Sequence, residues 1–217
     1  MNAKNNFVKK GFKPLSVKLL GHKDMIRGVD GLGDHVLSGS EDNTVKLWNI
    51  KTKKWITYTE HINWVTKVLL LDNFAVSGSA DRAIYVRPID EEQGQASFYR
   101  HDGWITGLTK LDDTRILSWS TDGKLKVYDC QNSENVHTCT AHESGIKWMC
   151  LNDDLICSYS PEDSKVVIRD TNTFEVIGEI DNTLGATTSN RSQYNMSKFS
   201  FSKDTEFNHY ITLIYFS

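Results

Sequence analysis

Histidine, serine and aspartate recur together four times along the chain. The sets are His22, Ser38 and Asp42; His61, Ser77 and Asp81; His101, Ser118 and Asp122; and His142, Ser158 and Asp163. These are the residue types of a nucleophilic triad, in which an imidazole takes a hydroxyl proton and a carboxylate orients the imidazole. A catalytic set occurs once in a chain, whereas these histidines recur at intervals of 39, 40 and 41 residues. The same types also suit a buried hydrogen-bond chain, because a carboxylate out of water needs donors around it. Repetition favours that architectural role. No single asymmetric cluster of acids, nucleophile or metal ligands stands out, so the sequence predicts no enzyme activity. Cys130, Cys139, Cys150 and Cys157 have no C-x-x-C spacing, and Cys139-x-x-His142 offers two ligands where a structural zinc takes four. No metal and no cofactor are expected, and the thiols are expected to be reduced.

The segments that must position these residues repeat with them. Four places after each histidine stands an aliphatic side chain: Ile26, Val65, Ile105 and Ile146. Six places after each aspartate stands a large one: Trp48, Arg87, Tyr128 and Arg169. Between them lie the β-rich runs "HVLSGS", "FAVSGS", "RILSWS" and "LICSYS". A polar turn leads each into "TVKLWNI", "AIYVRPI", "KLKVYDC" or "KVVIRDT", and a further run follows ("KWITYTE", "ASFYRH", "VHTCTAH", "FEVIGEI"). No segment holds a 3.6-residue apolar period, so the spacing predicts about four short antiparallel strands per unit. One such sheet cannot bury both faces, but sheets stacked radially can. The expected fold class is all-β, a β-propeller with four recognisable blades.

Gly21-His22, "SGSED" and Leu47-Trp48-Asn49 resemble the WD40 repeat, and the resemblance extends over residues 15–180. It implies a hydrogen-bonded chain within each blade, running from a loop histidine through a strand serine and a turn aspartate to a tryptophan. The first would be His22, Ser38, Asp42 and Trp48. The second would be His61, Ser77 and Asp81, with Arg87 in the tryptophan place. The third would be His101, Ser118, Asp122 and Tyr128. The fourth would be His142, Ser158 and Asp163, with Arg169 in the tryptophan place and one extra turn residue near Pro161. "NMSKFSFSKD" and "HYITLIYFS", within residues 181–217, resemble the first two strands of a fifth blade or else form a divergent tail. "LSVKLL", Leu15 to Leu20, resembles the outer strand that the N-terminus supplies to close such a ring. Residues 1–14, with Lys4, Lys9, Lys10 and Lys13, read as a basic arm. WD40 rings usually hold more blades than this, so the ring is expected to be truncated or open. Its free edges could be completed by self-association or by another chain.

In WD40 proteins partners usually dock where the histidine loops and SGSxD turns emerge. The resemblance places Arg27, Thr66, Thr106 and Lys147 on that face, with Glu41, Ala80, Thr121 and Glu162 just before the aspartates. Met25, Trp64, Trp104 and Gly145 stand three places after the histidines. Arg, Trp and Met are enriched at interface hot spots. The candidate partner-binding residues are therefore Arg27, Glu41, Trp64, Thr66, Trp104, Thr106 and Lys147. They suit an extended peptide with an acidic or phosphorylated side chain paired to Arg27 or Lys147. The stretch from Lys9 to Ile50 is also similar to the start of the propeller in F-box/WD proteins, the substrate receptors of ubiquitin ligases. An F-box should precede the propeller and Met1 leaves no room for one, so this likeness is expected to reflect ancestry more than activity.

Length and composition set the remaining bounds. The 217 residues carry a formal net charge of −3 and 39% hydrophobic residues, enough for a sizeable core. With no basic stripe, nucleic acid is not an expected partner. No apolar run approaches the length of a membrane span, and residues 1–20 lack the apolar core of a signal peptide. The expected function is a non-catalytic scaffold for a protein or peptide, cytoplasmic or nuclear, with no membrane partner.

Overall fold

The computed structural model describes residues 18–89, 95–152 and 154–181 in full, together with the backbone of strands at 195–203 and 209–216. Blade 1 comprises β1 (Ile26–Leu32), β2 (His35–Ser40), β3 (Val45–Asn49) and β4 (Lys54–Tyr58). Blade 2 comprises β5 (Val65–Leu70), β6 (Phe74–Ser79), β7 (Ala83–Pro88) and β8 (Ser97–Arg100). Blade 3 comprises β9 (Ile105–Lys110), β10 (Arg115–Ser120), β11 (Lys124–Asp129) and β12 (Glu134–Thr140). Blade 4 comprises β13 (Trp148–Leu151), β14 (Leu155–Ser160), β15 (Lys165–Asp170) and β16 (Val176–Asp181). Each blade is an antiparallel meander in chain order, and there is no helix among the described residues. β17 (Asn195–Lys203) and β18 (His209–Phe216) form a separate antiparallel hairpin, with β17 lying against β13. Lys18–Leu20 have no regular structure, and the rest of "LSVKLL" lies outside the described residues, as does the basic arm.

Local chemistry sets the turns. The residue after each turn aspartate is left-handed: Asn43 at φ 66°, Arg82 at 74°, Gly123 at 74° and Ser164 at 54°. Only Gly123 adopts this conformation without a Cβ penalty. The aspartate carboxylate compensates by accepting a backbone N–H two residues on, as from Thr44, Ala83 and Lys124 at 2.9 Å each.

The core lies between the blades. Leu37, Val45 and Leu47 of blade 1 meet Val65, Leu70 and Ala75 of blade 2. Val76, Ile84 and Val86 of blade 2 meet Ile105 and Ile116 of blade 3. Leu117, Leu125 and Val127 of blade 3 meet Ile146 and Ile156 of blade 4. The glycine of "SGS" is the seat for this packing. Val65 rests on Gly39, and a Cβ on Gly78 would stand 2.6 Å from Ile105 Cγ2. "RILSWS" has tryptophan at that place, and Trp119 folds back over Gly107 of its own blade. Val65, Ile105 and Ile146 are 0%, 1% and 0% exposed, while the corresponding Ile26 is 50% exposed. Ile26 lies on a side of blade 1 that no other described blade covers, and Val29 is also exposed.

Candidate functional site

Four histidine–aspartate pairs anchor the loops to the sheets. In blade 1 His22 Nε2 meets Ser38 Oγ at 2.8 Å, and His22 Nδ1 meets Asp42 Oδ2 at 3.0 Å. Trp48 Nε1 donates to Ser38 Oγ at 2.8 Å. Ser38 Oγ thus accepts from the indole while lying against Nε2, and the carboxylate lies against Nδ1, so one continuous chain of contacts joins tryptophan to aspartate. Asp42 also accepts from Lys23 N at 2.8 Å and from Thr44 Oγ1 at 2.6 Å. His61, His101 and His142 make the same two contacts, to Ser77 and Asp81, to Ser118 and Asp122, and to Ser158 and Asp163, all between 2.9 and 3.1 Å. Burial pushes the Asp122 carboxyl up. The hydrogen bond and charge of His101, with the amides of Lys124 and Asp102, outweigh it and hold the group well below the ordinary carboxylate range. Asp81 is lowered in the same balance, whereas against burial Asp42 is lowered first by the Thr44 hydroxyl and Asp163 first by the Ser144 hydroxyl. Burial lowers His142, which keeps its imidazole neutral despite Asp163.

The tryptophan place departs from one pattern in each later blade. Arg87 turns back to blade 1, forming an ion pair with Glu60 and lying 4.7 Å from the centre of the Tyr58 ring. Tyr128 stacks on Tyr99 of blade 2, with ring centres 4.1 Å apart. Arg169 donates to Thr140 O of blade 3 at 2.9 Å and to Phe174 O at 2.8 Å. These side chains link blade to blade.

The histidine loops and the SGSxD turns meet on one face. Glu41 N donates to Met25 O, Ala80 N to Trp64 O and Thr121 N to Trp104 O, each at 2.9 Å. Trp64 is 42% exposed and Trp104 53%. Arg27 donates through Nε to Glu41 at 2.6 Å and lies 5.2 Å from the centre of the Trp64 ring. Thr66 and Thr106 have a different occupation. Thr66 Oγ1 donates to Ile105 O at 2.7 Å and Thr106 Oγ1 to Ile146 O at 2.6 Å, so both hydroxyls tie a blade to the next. Lys147 is exposed and has no ion pair among the described residues. The seven candidate residues thus divide into exposed Arg27, Trp64, Trp104 and Lys147, a half-buried Glu41 paired to Arg27, and two threonines spent on the blade interfaces.

A groove of about 550 Å³ opens on this face between blades 2 and 3. Ile62 and Trp104 supply apolar walls, and Arg82 and Arg100 supply charge. Ile62 is 82% exposed. Ile62, Arg82 and Arg100 are not among the seven candidates. Arg82 follows Asp81 directly, so the spacing that located Glu41 and Ala80 could have found it. A second groove of about 570 Å³, with Glu143, Glu162 and Glu179 in its wall, lies at blade 4. Lys165 and Arg169 also line it, as does Val167, which stands at the place held by Lys46, Tyr85 and Lys126 in the other blades. Among the described residues no three His, Cys, Asp or Glu side chains group as metal ligands, and no helix is long and apolar enough to cross a membrane.

Comparison with known proteins adds relatives and neighbours. The WD40 family model (WD domain, G-beta repeat) matches residues 12–49. The U3 small nucleolar RNA-associated protein 15 homolog of Gallus gallus is 30% identical over 144 residues, covering 64% of this chain and 26% of that protein. Ribosome biogenesis protein YTM1 of Candida albicans is 28% identical over 171 residues, covering 72% of this chain and 36% of that one. Apoptotic protease-activating factor 1 of Rattus norvegicus is 24% identical over 149 residues, 67% of this chain and 12% of its own length. The chain therefore spans between 12% and 36% of the length of these three relatives. Among solved structures, the computationally designed Ika8 protein superposes with a TM-score of 0.66 at 27% identity, over 74% of this chain and 50% of that chain. The designed Ika4 protein superposes at 0.63 and 26% identity, over 70% of this chain and 95% of that chain.

Proposed function

Since the chain belongs to the WD40-repeat family, we propose that it is a non-catalytic scaffold holding a protein partner on the face of the histidine loops. The observation that carries the reading is the pair of exposed indoles, Trp64 and Trp104, on adjacent blades of that face. Large exposed aromatics flanked by cations are the usual anchors of a protein interface. The partner segment is an extended peptide with an acidic or phosphorylated side chain. Lys147 is the cation free to receive it, whereas Arg27 must first exchange Glu41 for the ligand. The names of the relatives in ribosome biogenesis and small nucleolar RNA association support a place in a nuclear assembly. The ligase-receptor reading draws on the first repeat alone, and no feature of the site favours it.

The test is binding of the full chain to arrays of acidic and phosphorylated peptides. Replacing both Trp64→Ala and Trp104→Ala should weaken the best ligand about 30-fold or more, as expected for hot-spot truncation. Replacing Arg27→Ala and Lys147→Ala should remove the preference for acidic over neutral peptides. Wild-type affinity in the tryptophan variant would dismiss this face as the docking site.

A further inference from the structure

Cys150 and Cys157 stand directly opposite each other on β13 and β14. Asn152 N donates to Leu155 O at 3.0 Å where the hairpin turns. The alternation of an antiparallel ladder then puts Cys150 and Cys157 in the same hydrogen-bonded phase, with Cα atoms about 5.5 Å apart. That separation falls within the span of about 4.4–6.8 Å that a disulfide bridges. Both side chains lie on the same face of the blade, in a cluster with Tyr159, Val166 and Ile168. Cys157 is fully buried, and Cys150 is half-buried and gives the entry point. The other two thiols have no such neighbour. Cys139 is opposite Leu125, and Cys130 lies beyond the end of β11.

We infer that Cys150 and Cys157 are a dithiol that closes reversibly into a cross-strand disulfide, a redox latch on the inner hairpin of blade 4. In the resting state the Cys150 thiol is held protonated, first by its hydrogen bond to Cys157 and then by burial. Closure proceeds with a small disulfide such as oxidised glutathione. The Cys150 sulfur, losing its proton, attacks one glutathione sulfur, and the other leaves as a thiolate. The Cys157 sulfur, losing its proton, then attacks Cys150 and expels the second glutathione. Two electrons pass from the cysteine pair to the glutathione disulfide, and the two protons end on the released thiols. A hydrogen-bonded strand pair holds opposite Cβ atoms near 5.5 Å, while a disulfide needs about 3.5–4.5 Å. Closing the bond therefore draws β13 toward β14 by about 1 Å, and a bond made against the ladder is readily reduced again. β13 is also the strand on which β17 lies, so the movement reaches the terminal hairpin.

The experiment equilibrates the full chain with a series of reduced-to-oxidised glutathione ratios, quenches it in acid and maps the peptides by mass spectrometry. The expected product is one intramolecular bond joining Cys150 to Cys157, with Cys130 and Cys139 still free. Adding dithiothreitol should restore four thiols. The Cys157→Ser variant should instead retain glutathione on Cys150. The double variant Cys130→Ser, Cys139→Ser should oxidise like the parent. If the parent keeps four free thiols, bonds elsewhere or holds a stable glutathione adduct at Cys150, the inference fails. The parent's own peptide map decides this, whether or not a variant folds.

Discussion

At the scale of single residues, the histidine chains make stability depend on acid. The carboxyls of Asp42, Asp81, Asp122 and Asp163 are lowered from 3.8 in the folded chain. A lowered carboxyl contributes stability that is present above its unfolded value and lost as pH falls through the folded value. His142 is lowered from 6.5, so its neutral form is favoured by folding, and its contribution also shrinks as pH drops below 6.5. Both act in the same direction. The melting temperature should be highest near neutrality, decline gently below pH 6.5 and fall steeply below pH 4. Asp122→Asn should flatten the steep limb, as thermal melts across that range would record. A melting temperature unchanged from pH 7 to 3 would remove this account. The histidine, serine and aspartate were legible in the sequence because each contact joins residues at a repeated separation. The partners of Arg87 and Arg169 were not. Glu60, Tyr58 and Thr140 belong to the preceding blade, and only the packing of sheets brings them within reach.

At the scale of strands and sheets, the blade interface depends on what stands in the middle of Ser-x-Ser. Gly78 leaves room for Ile105, so Gly78→Ala should cost about 1–3 kcal/mol through overpacking. Gly31→Ala is the control. Its Cβ would find its nearest neighbour at 3.7 Å, and the change should stay within about 0.5 kcal/mol. Chemical denaturation of the two variants separates them, and equal losses would mean that the glycine seat is not what holds the blades together. The pattern "SGS" against "SWS" was visible in the sequence, but its consequence was not. Trp119 can fill a glycine position only because Gly107 on the neighbouring strand gives it space. The threonines five places after the histidines were likewise visible, but their partners were not. A hydroxyl finds a carbonyl of the next blade only in three dimensions, and Thr66 and Thr106 are committed to that bond.

At the scale of the whole molecule, the described blades form a series with one uncovered side. Ile105 is buried between blades 2 and 3, and Ile105→Ala should cost about 2–5 kcal/mol. Ile26 holds the same place in blade 1 but is half exposed, so Ile26→Ala should cost under about 1 kcal/mol. Comparison of the two melts measures how far this face is covered in solution. A large loss at Ile26 would mean that another sheet rests there, and light scattering would tell whether it comes from a second copy. The count of blades was legible because each repeats a motif. The arrangement at the ends was not: "LSVKLL" resembles a closing strand, yet Lys18–Leu20 form none.

The placing of the tryptophans has an optical consequence. Trp48 and Trp119 are 4% and 8% exposed, while Trp64 and Trp104 are about half exposed. Unfolding wets the first pair and shifts their emission to longer wavelength. A partner settling over Trp64 and Trp104 dries them and shifts theirs to shorter wavelength. The sign of a fluorescence change, with no added label, therefore distinguishes loss of structure from capture of a ligand.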